Sequence, residues 1–134
     1  METPPTQSPE TDKISQALSQ AQAKIEDARR TAKNSFLGNT YADLTSVMAS
    51  VRGPLTDHGL AVTQTFLPMT DGEGKTQTYL MTTLLHGSGQ FLRGFMPLLG
   101  VKDHHSLGSA TTYARRFSLA ALTSVCPQGE DDDA

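Results

Sequence analysis

The chain has 134 residues, of which 37% are hydrophobic, with one Cys and no Trp. A chain of this length forms one domain of the usual size, which excludes an enzyme built from two catalytic domains. Its apolar runs are far shorter than the roughly 20 residues that span a bilayer, and its first residues lack the pattern of a signal peptide. We therefore expect no membrane partner. Because a lone Cys126 cannot form an internal disulfide, we also expect a protein of the reducing cytoplasm.

The net charge of -3 is unevenly distributed along the chain. Residues 1–27 have a net charge of -3 and residues 130–133 one of -4, whereas residues 28–129 contain nine Lys and Arg against five Asp and Glu. A weakly basic body therefore lies between two acidic ends. This distribution permits a polyanionic partner on the body.

The N-terminal third predicts a tail and two helices. Residues 1–11 contain three of the seven prolines with Thr, Ser and Gln, so we expect a disordered tail. Apolar residues then recur at spacings of three and four, which predicts a helix over residues 12–34 with Asp12 as its N-cap. That narrow stripe favours packing on the domain or on a neighbouring subunit. A second helix is predicted from Tyr41 or Asp43 toward His58, with a kink at Pro54 and with Gly59 closing it.

The rest of the chain predicts three strands and a helix. Residues 60–67, 77–86 and 90–98 alternate in polarity and are separated by turn residues that include Pro68. A final helix is predicted from Ser106 or Ser109, as its cap, to about Ser124. The following residues form its predicted inward face: Leu107, Ala110, Thr111, Ala114, Phe117, Ala121 and Leu122.

These elements indicate an α+β fold. We expect an antiparallel three-stranded meander packed by the following helix, a β-β-β-α core, with two N-terminal helices. The predicted division is one domain over residues 12–128 and an acidic C-terminal tail over residues 129–134.

The motifs with catalytic potential are weak. Gly74-Lys75-Thr76 ends like a P-loop, but Met69 stands where the pattern requires Gly and a strand follows instead of a helix. Adjacent His104 and His105 point to different sides of any regular element, so they favour a loop over a metal site. We therefore expect no enzyme and no cofactor.

The start of the last helix has a distinctive composition. Small residues at a helix start let a phosphate approach unpaired N–H groups, and Arg115 and Arg116 add positive charge one turn later. A helix places these two arginines about 100° apart. With Leu107 at the centre of the buried face, Arg115 falls on its border, where it could pair with Asp103 or another acid. Arg116 is then the better candidate for phosphate.

The segment LGSATTYARRFSLAAL (residues 107–122), followed by EDDD (residues 130–133), closely resembles the signature of the essential recombination function (ERF) family of phage single-strand annealing proteins. Similar residues stand at YADL (41–44), VRGPL (51–55), HGLAVTQ (58–64) and TTLLHGSG (82–89). The resemblance implies ATP-independent binding of single-stranded DNA and annealing of complementary strands by a ring or filament of subunits. It also implies a β-β-β-α core and a place in the cytoplasm of a bacterial host cell.

A basic groove that neutralises phosphates would leave base edges free for a second strand. We expect DNA contacts from the following residues: Arg116, Arg115, Lys102, Arg93, Arg52, Lys33, Tyr113, Gly108 and Ser109. Tyr113 would stack on a base, although its place beside Ala120 on the helix also fits the core. The expected partners are single-stranded DNA, further copies of the chain and, through the acidic tail, phage or host recombination proteins.

Two alternatives stay open. A small Mg²⁺-dependent nuclease would use Asp103, His104, His105 and the acidic run over residues 130–133. A structural oligomer would form rings without affinity for DNA.

Overall fold

The computed structural model describes residues 3–26, 32–33, 40–41 and 43–126, and its fold is α+β, as predicted. The elements are α1 (Asp12–Gln22), β1 (Ala32–Lys33), β2 (Thr40–Tyr41), α2 (Leu44–Asp57), β3 (Leu60–Thr70), β4 (Thr76–His86), β5 (Phe91–Pro97) and α3 (His104–Thr123). The antiparallel sheet has the order β3-β4-β5 and is followed by α3, which confirms the β-β-β-α core behind two helices. A separate two-stranded sheet, β1-β2, was not predicted.

The first helix is shorter than predicted. Ile14, Ala17 and Ala21 are buried in the core of the same chain, so the apolar stripe packs on the domain. After Gln22 the chain turns, and the Ile25 N–H donates to the carbonyl of Ala21 at 3.1 Å. Ile25 thereby packs against the same core, whereas the alanines that continue the stripe offer little surface to bury. The prediction of a helix to residue 34 is wrong, because residues 32–33 pair as a strand.

Residues 6–8 lie along β5, which corrects the prediction of a disordered tail for this part of the chain. The Ser8 N–H donates to the carbonyl of Phe91 at 3.0 Å, and the Arg93 N–H donates to the carbonyl of Thr6 at 2.8 Å. Ser8 is buried, and its Oγ accepts the Phe91 N–H at 3.0 Å. The composition of the segment could not reveal this, because its backbone partners are supplied by the edge of β5.

A distant side chain caps α1. The N-cap is Thr11 instead of Asp12, and its side chain makes no capping hydrogen bond. Gln90 takes over this role, because its Oε1 accepts the N–H groups of Lys13 and Ile14, both at 2.9 Å. Its Nε2 donates to Asp12 Oδ1 at 2.8 Å, and this hydrogen bond lowers the pKa of the Asp12 carboxyl. The turn between β4 and β5 is thus tied to the start of α1.

The second helix has the predicted bounds, and the kink at Pro54 stays a prediction. Asp43 is its N-cap and accepts the Ser46 N–H at 2.9 Å, while Pro54 lies inside the helix and Gly59 follows it with a φ of 74°. β3 continues through Pro68 to Thr70, so the predicted turn at Pro68 is wrong. An edge strand tolerates proline, because it has N–H groups that face away from the sheet.

The helix α3 packs on two different partners. Its first half, through Leu107, Ala110 and Ala114, packs with Leu80 and Leu98 of the sheet side. Its second half contributes Leu119 and Ala120 to the core formed with α1 and α2. The buried direction rotates between the two halves, and the single predicted inward face is therefore wrong in part. Phe117 and Ala121 are exposed, whereas Leu119, Ala120 and Thr123 are buried.

Candidate nucleic-acid interface

The start of α3 differs from the prediction. Asp103 is the N-cap: its Oδ1 accepts the Ser106 N–H at 2.8 Å, and the Ser106 Oγ accepts the Asp103 N–H at 3.0 Å. This capping box lowers the pKa of the Asp103 carboxyl, chiefly through the backbone hydrogen bond from Ser106. Gly108 and Ser109 consequently lie in the second turn, where backbone N–H groups are used within the helix. Their backbone N–H groups are therefore not those of an open helix start, and a DNA contact by Gly108 and Ser109 stays a prediction.

Two flanks of α3 carry the predicted residues. Since successive helical residues differ by about 100°, residues seven apart point in nearly the same direction. Gly108 and Arg115 therefore share one flank with Thr111 and Thr112, which we call the cleft flank. The neighbouring side of the helix, about 100° further around its axis, is called the outer flank, and it is formed by Ser109, Tyr113, Arg116 and Phe117.

The cleft flank borders a cavity of about 300 Å³ between α2, β3 and α3, here called the arginine cleft. Its lining residues are Met48, Arg52, Leu55, Thr56, Leu60, Ala61, Val62, Gln64 and Arg115. Two of the predicted DNA-binding residues, Arg52 of α2 and Arg115 of α3, thus meet in one site. No carboxylate is among these described lining residues, so none of them neutralises the positive charge of the two guanidinium groups.

Gln64 positions Arg115. The Arg115 Nε donates to Gln64 Oε1 at 3.2 Å, and the Gln64 Nε2 donates to the backbone carbonyl of Arg115 at 3.0 Å and to Thr82 Oγ1 at 3.1 Å. The expected pairing of Arg115 with Asp103 or another acid is therefore replaced by a bond to a neutral amide. An amide orients the guanidinium without cancelling its charge, which a carboxylate would do.

The outer flank presents aromatic rings. Tyr113 is 52% exposed and Phe117 is 43% exposed, and their ring centroids lie 4.8 Å apart. The Arg116 guanidinium carbon lies 5.5 Å from the centroid of the Phe117 ring. The suggestion that Tyr113 belongs to the core is wrong, because its side chain is exposed whereas the adjacent Ala114 is buried.

The remaining predicted residues do not join the arginine cleft. Arg93 pairs in register with Thr83 and lies on the opposite face of the sheet from Gln64 and Thr82, with its guanidinium 4.2 Å from the Phe91 ring centroid. Lys102 is exposed before the start of α3, roughly 20 Å along the helix axis from Arg115. The backbone of Lys33 is in β1, and its side chain lies outside the described part of the chain. Within the described part of the chain, the predicted DNA-binding residues therefore do not form one continuous groove.

Sequence reasoning missed Gln64. It stands on the face of β3 that carries Leu60, Val62 and Phe66, and the register pairs it with Thr82 on the same face of the sheet. A lone amide at a position of a strand where its neighbours are apolar was the available signal. Its partner on α3 depends on how helix and sheet pack, which the local pattern does not contain.

The described residues bear on the alternative interpretation of the chain as a Mg²⁺-dependent nuclease. Within residues 3–26 and 43–126, no three His, Cys, Asp or Glu side chains lie close enough to hold a metal ion. The acidic run at residues 130–133, which the nuclease interpretation needs, lies outside the described residues. Of the helices that the structure describes, none combines the length and the apolar character needed to cross a bilayer.

Searches for similar proteins returned no significant match among curated proteins or among solved structures. A family model, in contrast, covers nearly the whole chain, from the first buried residue of α1 at Ile14 to Ala134, and includes both arginines of the cleft. The match agrees with the resemblance seen in residues 107–122. The chain belongs to the ERF superfamily, whose model matches residues 14–134.

Proposed function

We propose that this protein binds single-stranded DNA and anneals complementary strands without ATP, in phage-type homologous recombination within a bacterial cell. Membership of the ERF superfamily suggests a role in phage recombination and annealing. The observation that supports a site is the meeting of Arg52 and Arg115 in a cleft whose described lining carries no carboxylate. Backbone phosphates are the proposed ligands of these two arginines.

The chemistry of the arginine cleft suits a phosphodiester. A guanidinium offers planar, paired N–H donors that match phosphate oxygens, and Gln64 holds that of Arg115 in a fixed orientation. Neutralisation of phosphates releases counterions, which drives binding without reading the sequence. Bases that are not contacted through their edges stay available for a complementary strand.

A single cleft has few contacts. Two arginines neutralise only a few phosphates, so one subunit would bind weakly at physiological salt. Repetition of the cleft around a ring or along a filament of identical subunits would raise the overall affinity by avidity. We therefore propose that the active form is a homo-oligomer in which one strand crosses successive clefts. The reaction needs no catalytic group and no cofactor.

The test combines binding and annealing. Fluorescence anisotropy of a labelled oligothymidylate is measured at low and high salt, and pairing of two complementary oligonucleotides is followed without nucleotide and with EDTA. We expect salt-sensitive binding and accelerated annealing, both reduced in Arg52→Ala. Lys75→Ala is the matched control, because it removes one exposed positive charge from the turn between β3 and β4.

Three results would contradict the proposal. Shortening of the labelled strand when Mg²⁺ replaces EDTA would indicate a nuclease. Stable oligomers without affinity for DNA would indicate a structural protein. Equal losses in Arg52→Ala and Lys75→Ala would mean that binding depends on overall charge and not on the arginine cleft.

A further inference from the structure

We propose that Phe66 is a stacking platform for a base of the strand whose phosphates occupy the arginine cleft, an inference that rests on the proposed function. Phe66 is 55% exposed, although it lies in the middle of the long strand β3. It is two residues beyond Gln64, and same-face residues of a strand are about 6.6 Å apart. Phe66 is therefore the next side chain on this face after the residue that holds Arg115.

The position of Phe66 follows from the register of the sheet. Phe66 pairs with Leu80, just as Gln64 pairs with Thr82, and both pairs lie on the face that α3 covers. Leu80 is almost completely buried beneath α3, whose contacts with the sheet are chiefly with β4 and β5. β3 is an edge strand of the sheet, so Phe66 has Leu80 as its cross-strand neighbour on one side and no strand of this sheet on the other.

The neighbouring wall leaves room for a base. Arg115 on the cleft flank contacts Gln64, so the same flank faces the β3 side of the sheet. One and two turns before Arg115 this flank carries only small residues, namely Gly108, Thr111 and Thr112. A side-chain carbon added at Gly108 would meet no atom within 4 Å. The space beside Phe66 is thus not filled from α3.

Phe66 also differs from the other exposed aromatic rings. Tyr113 and Phe117 stack on each other at 4.8 Å, which occupies one face of each ring. Within the described residues, Phe66 has no aromatic or cationic partner on its ring. Every nucleobase has a flat π-face, so an open ring beside a phosphate site can stack any base, which suits a protein that binds without sequence preference.

The absence of Trp from the chain makes the test direct. Phe66→Trp introduces a single tryptophan, and its fluorescence is followed during titration with an oligothymidylate and with an abasic oligonucleotide of equal length. We expect quenching by the oligothymidylate and little by the abasic strand. Phe117→Trp on the outer flank is the matched control and should show no difference between the two strands.

A second variant measures the energetic contribution. Phe66→Ala should weaken binding of the oligothymidylate by about tenfold while leaving the affinity for the abasic strand unchanged. Because Phe66 is more than half exposed, its unfolding midpoint should stay close to that of the unmodified protein. Phe66→Leu keeps an apolar side chain opposite Leu80 and should lose affinity in the same selective way.

The outcomes separate the two proposals. If the oligothymidylate binds by anisotropy without quenching of the Phe66→Trp variant, or binds equally well to Phe66→Ala, the stacking role of Phe66 is overturned and DNA binding stands. Equal losses for base-bearing and abasic strands would show that the ring supports the cleft instead of stacking. If neither strand binds the unmodified protein, the proposed function itself is overturned, and the inference with it.

Discussion

Arg115 and Arg116 are neighbours in the sequence but have different surroundings. Arg115 points into the arginine cleft and bonds to Gln64, whereas Arg116 lies on the outer flank beside Phe117. We expect Arg115→Ala to weaken DNA binding and to lower the free energy of unfolding by about 1 kcal/mol, because the half-buried Gln64 Oε1 loses its donor. Arg116→Ala should reduce the affinity for DNA less, because Arg116 lies outside the arginine cleft.

Anisotropy titrations and thermal unfolding of the two variants check this expectation. Arg115→Lys adds a control, since it keeps the charge but lacks the Nε–H that Gln64 accepts. A larger affinity loss in Arg116→Ala would show that phosphates bind on the outer flank, as the helical positions in the sequence suggested. Gln64 explains why the sequence alone favoured Arg116: the border position of Arg115 suggested an acidic partner, and only the packing of α3 on the sheet shows a neutral one.

Asp103 makes the start of α3 sensitive to acid. Its pKa is held below the ordinary value of 3.8, chiefly because its carboxylate accepts the Ser106 N–H. Since the folded-state pKa is lower than that of the unfolded chain, the stabilisation is fully present above pH 3.8 and is lost as the pH falls through the folded-state value. Asp103→Asn retains a capping side chain without a titrating group.

Unfolding midpoints of the unmodified protein and of Asp103→Asn, measured from neutral pH to below pH 3.8, test the role of this carboxylate. We expect the unmodified protein to lose its advantage over the variant in the acid range. Parallel pH profiles would mean that the Asp103 charge contributes nothing to folding. The Asp12 carboxyl, whose pKa is lowered by Gln90, is present in both proteins and cancels in this comparison.

At the scale of elements, the sequence predicted the type and position of most helices and strands better than it predicted which parts of the fold they pack against. The three strands and α2 follow from alternation, helical spacing and turn residues, all of which are local properties. The end of α1 was not predictable, because Ala28 and Ala32 continue the apolar spacing in the sequence although the helix ends at Gln22. The buried side of α3 was predicted only for its first half, since the second half also packs against α1 and α2 through Leu119 and Ala120.

The segment along β5 gives a testable consequence for an element. Removal of residues 1–9 deletes Thr6 and Ser8, which leaves the amides of Phe91 and Arg93 without the partners they have in the structure. Each lost hydrogen bond contributes about 1 kcal/mol, so we expect a lower unfolding midpoint and faster hydrogen exchange at these two amides. Amides in the middle of β4, which pairs with strands on both sides, serve as the internal reference.

An unchanged midpoint after that deletion would show that the segment adds no stability to the sheet. Ser8→Ala offers a milder version, because it removes only the buried hydroxyl that accepts the Phe91 N–H. Loss of stability in the deletion but not in Ser8→Ala would assign the contribution to the backbone pairing at Thr6 and Ser8.

At the scale of the whole molecule, the net charge of the chain differs in sign from the charge of the proposed DNA-binding site. The chain has a net charge of -3, yet its described cleft presents two arginines and no carboxylate. A phosphate close to the cleft experiences mainly the nearby guanidinium groups, because charges farther away than about 8–10 Å are screened at physiological salt. An acidic isoelectric point of about 5.7 is therefore compatible with DNA binding.

The salt dependence of binding measures how many phosphates the arginine cleft neutralises. Each phosphate contact on a single strand contributes about -0.7 to the slope of log K against log salt concentration, so removal of two contacts should make the slope shallower by about 1.4 for each cleft occupied. The double variant Arg52→Ala/Arg115→Ala is compared with Lys24→Ala/Lys75→Ala, which removes two exposed positive charges outside the cleft. Anisotropy titrations with a short oligothymidylate at several salt concentrations give both slopes. We expect the cleft variant to have the shallower slope and the control variant to keep the slope of the unmodified protein. An equal change in both variants would show that DNA binding responds to the total charge of the protein. An unchanged slope in the cleft variant would place the phosphates elsewhere on the molecule.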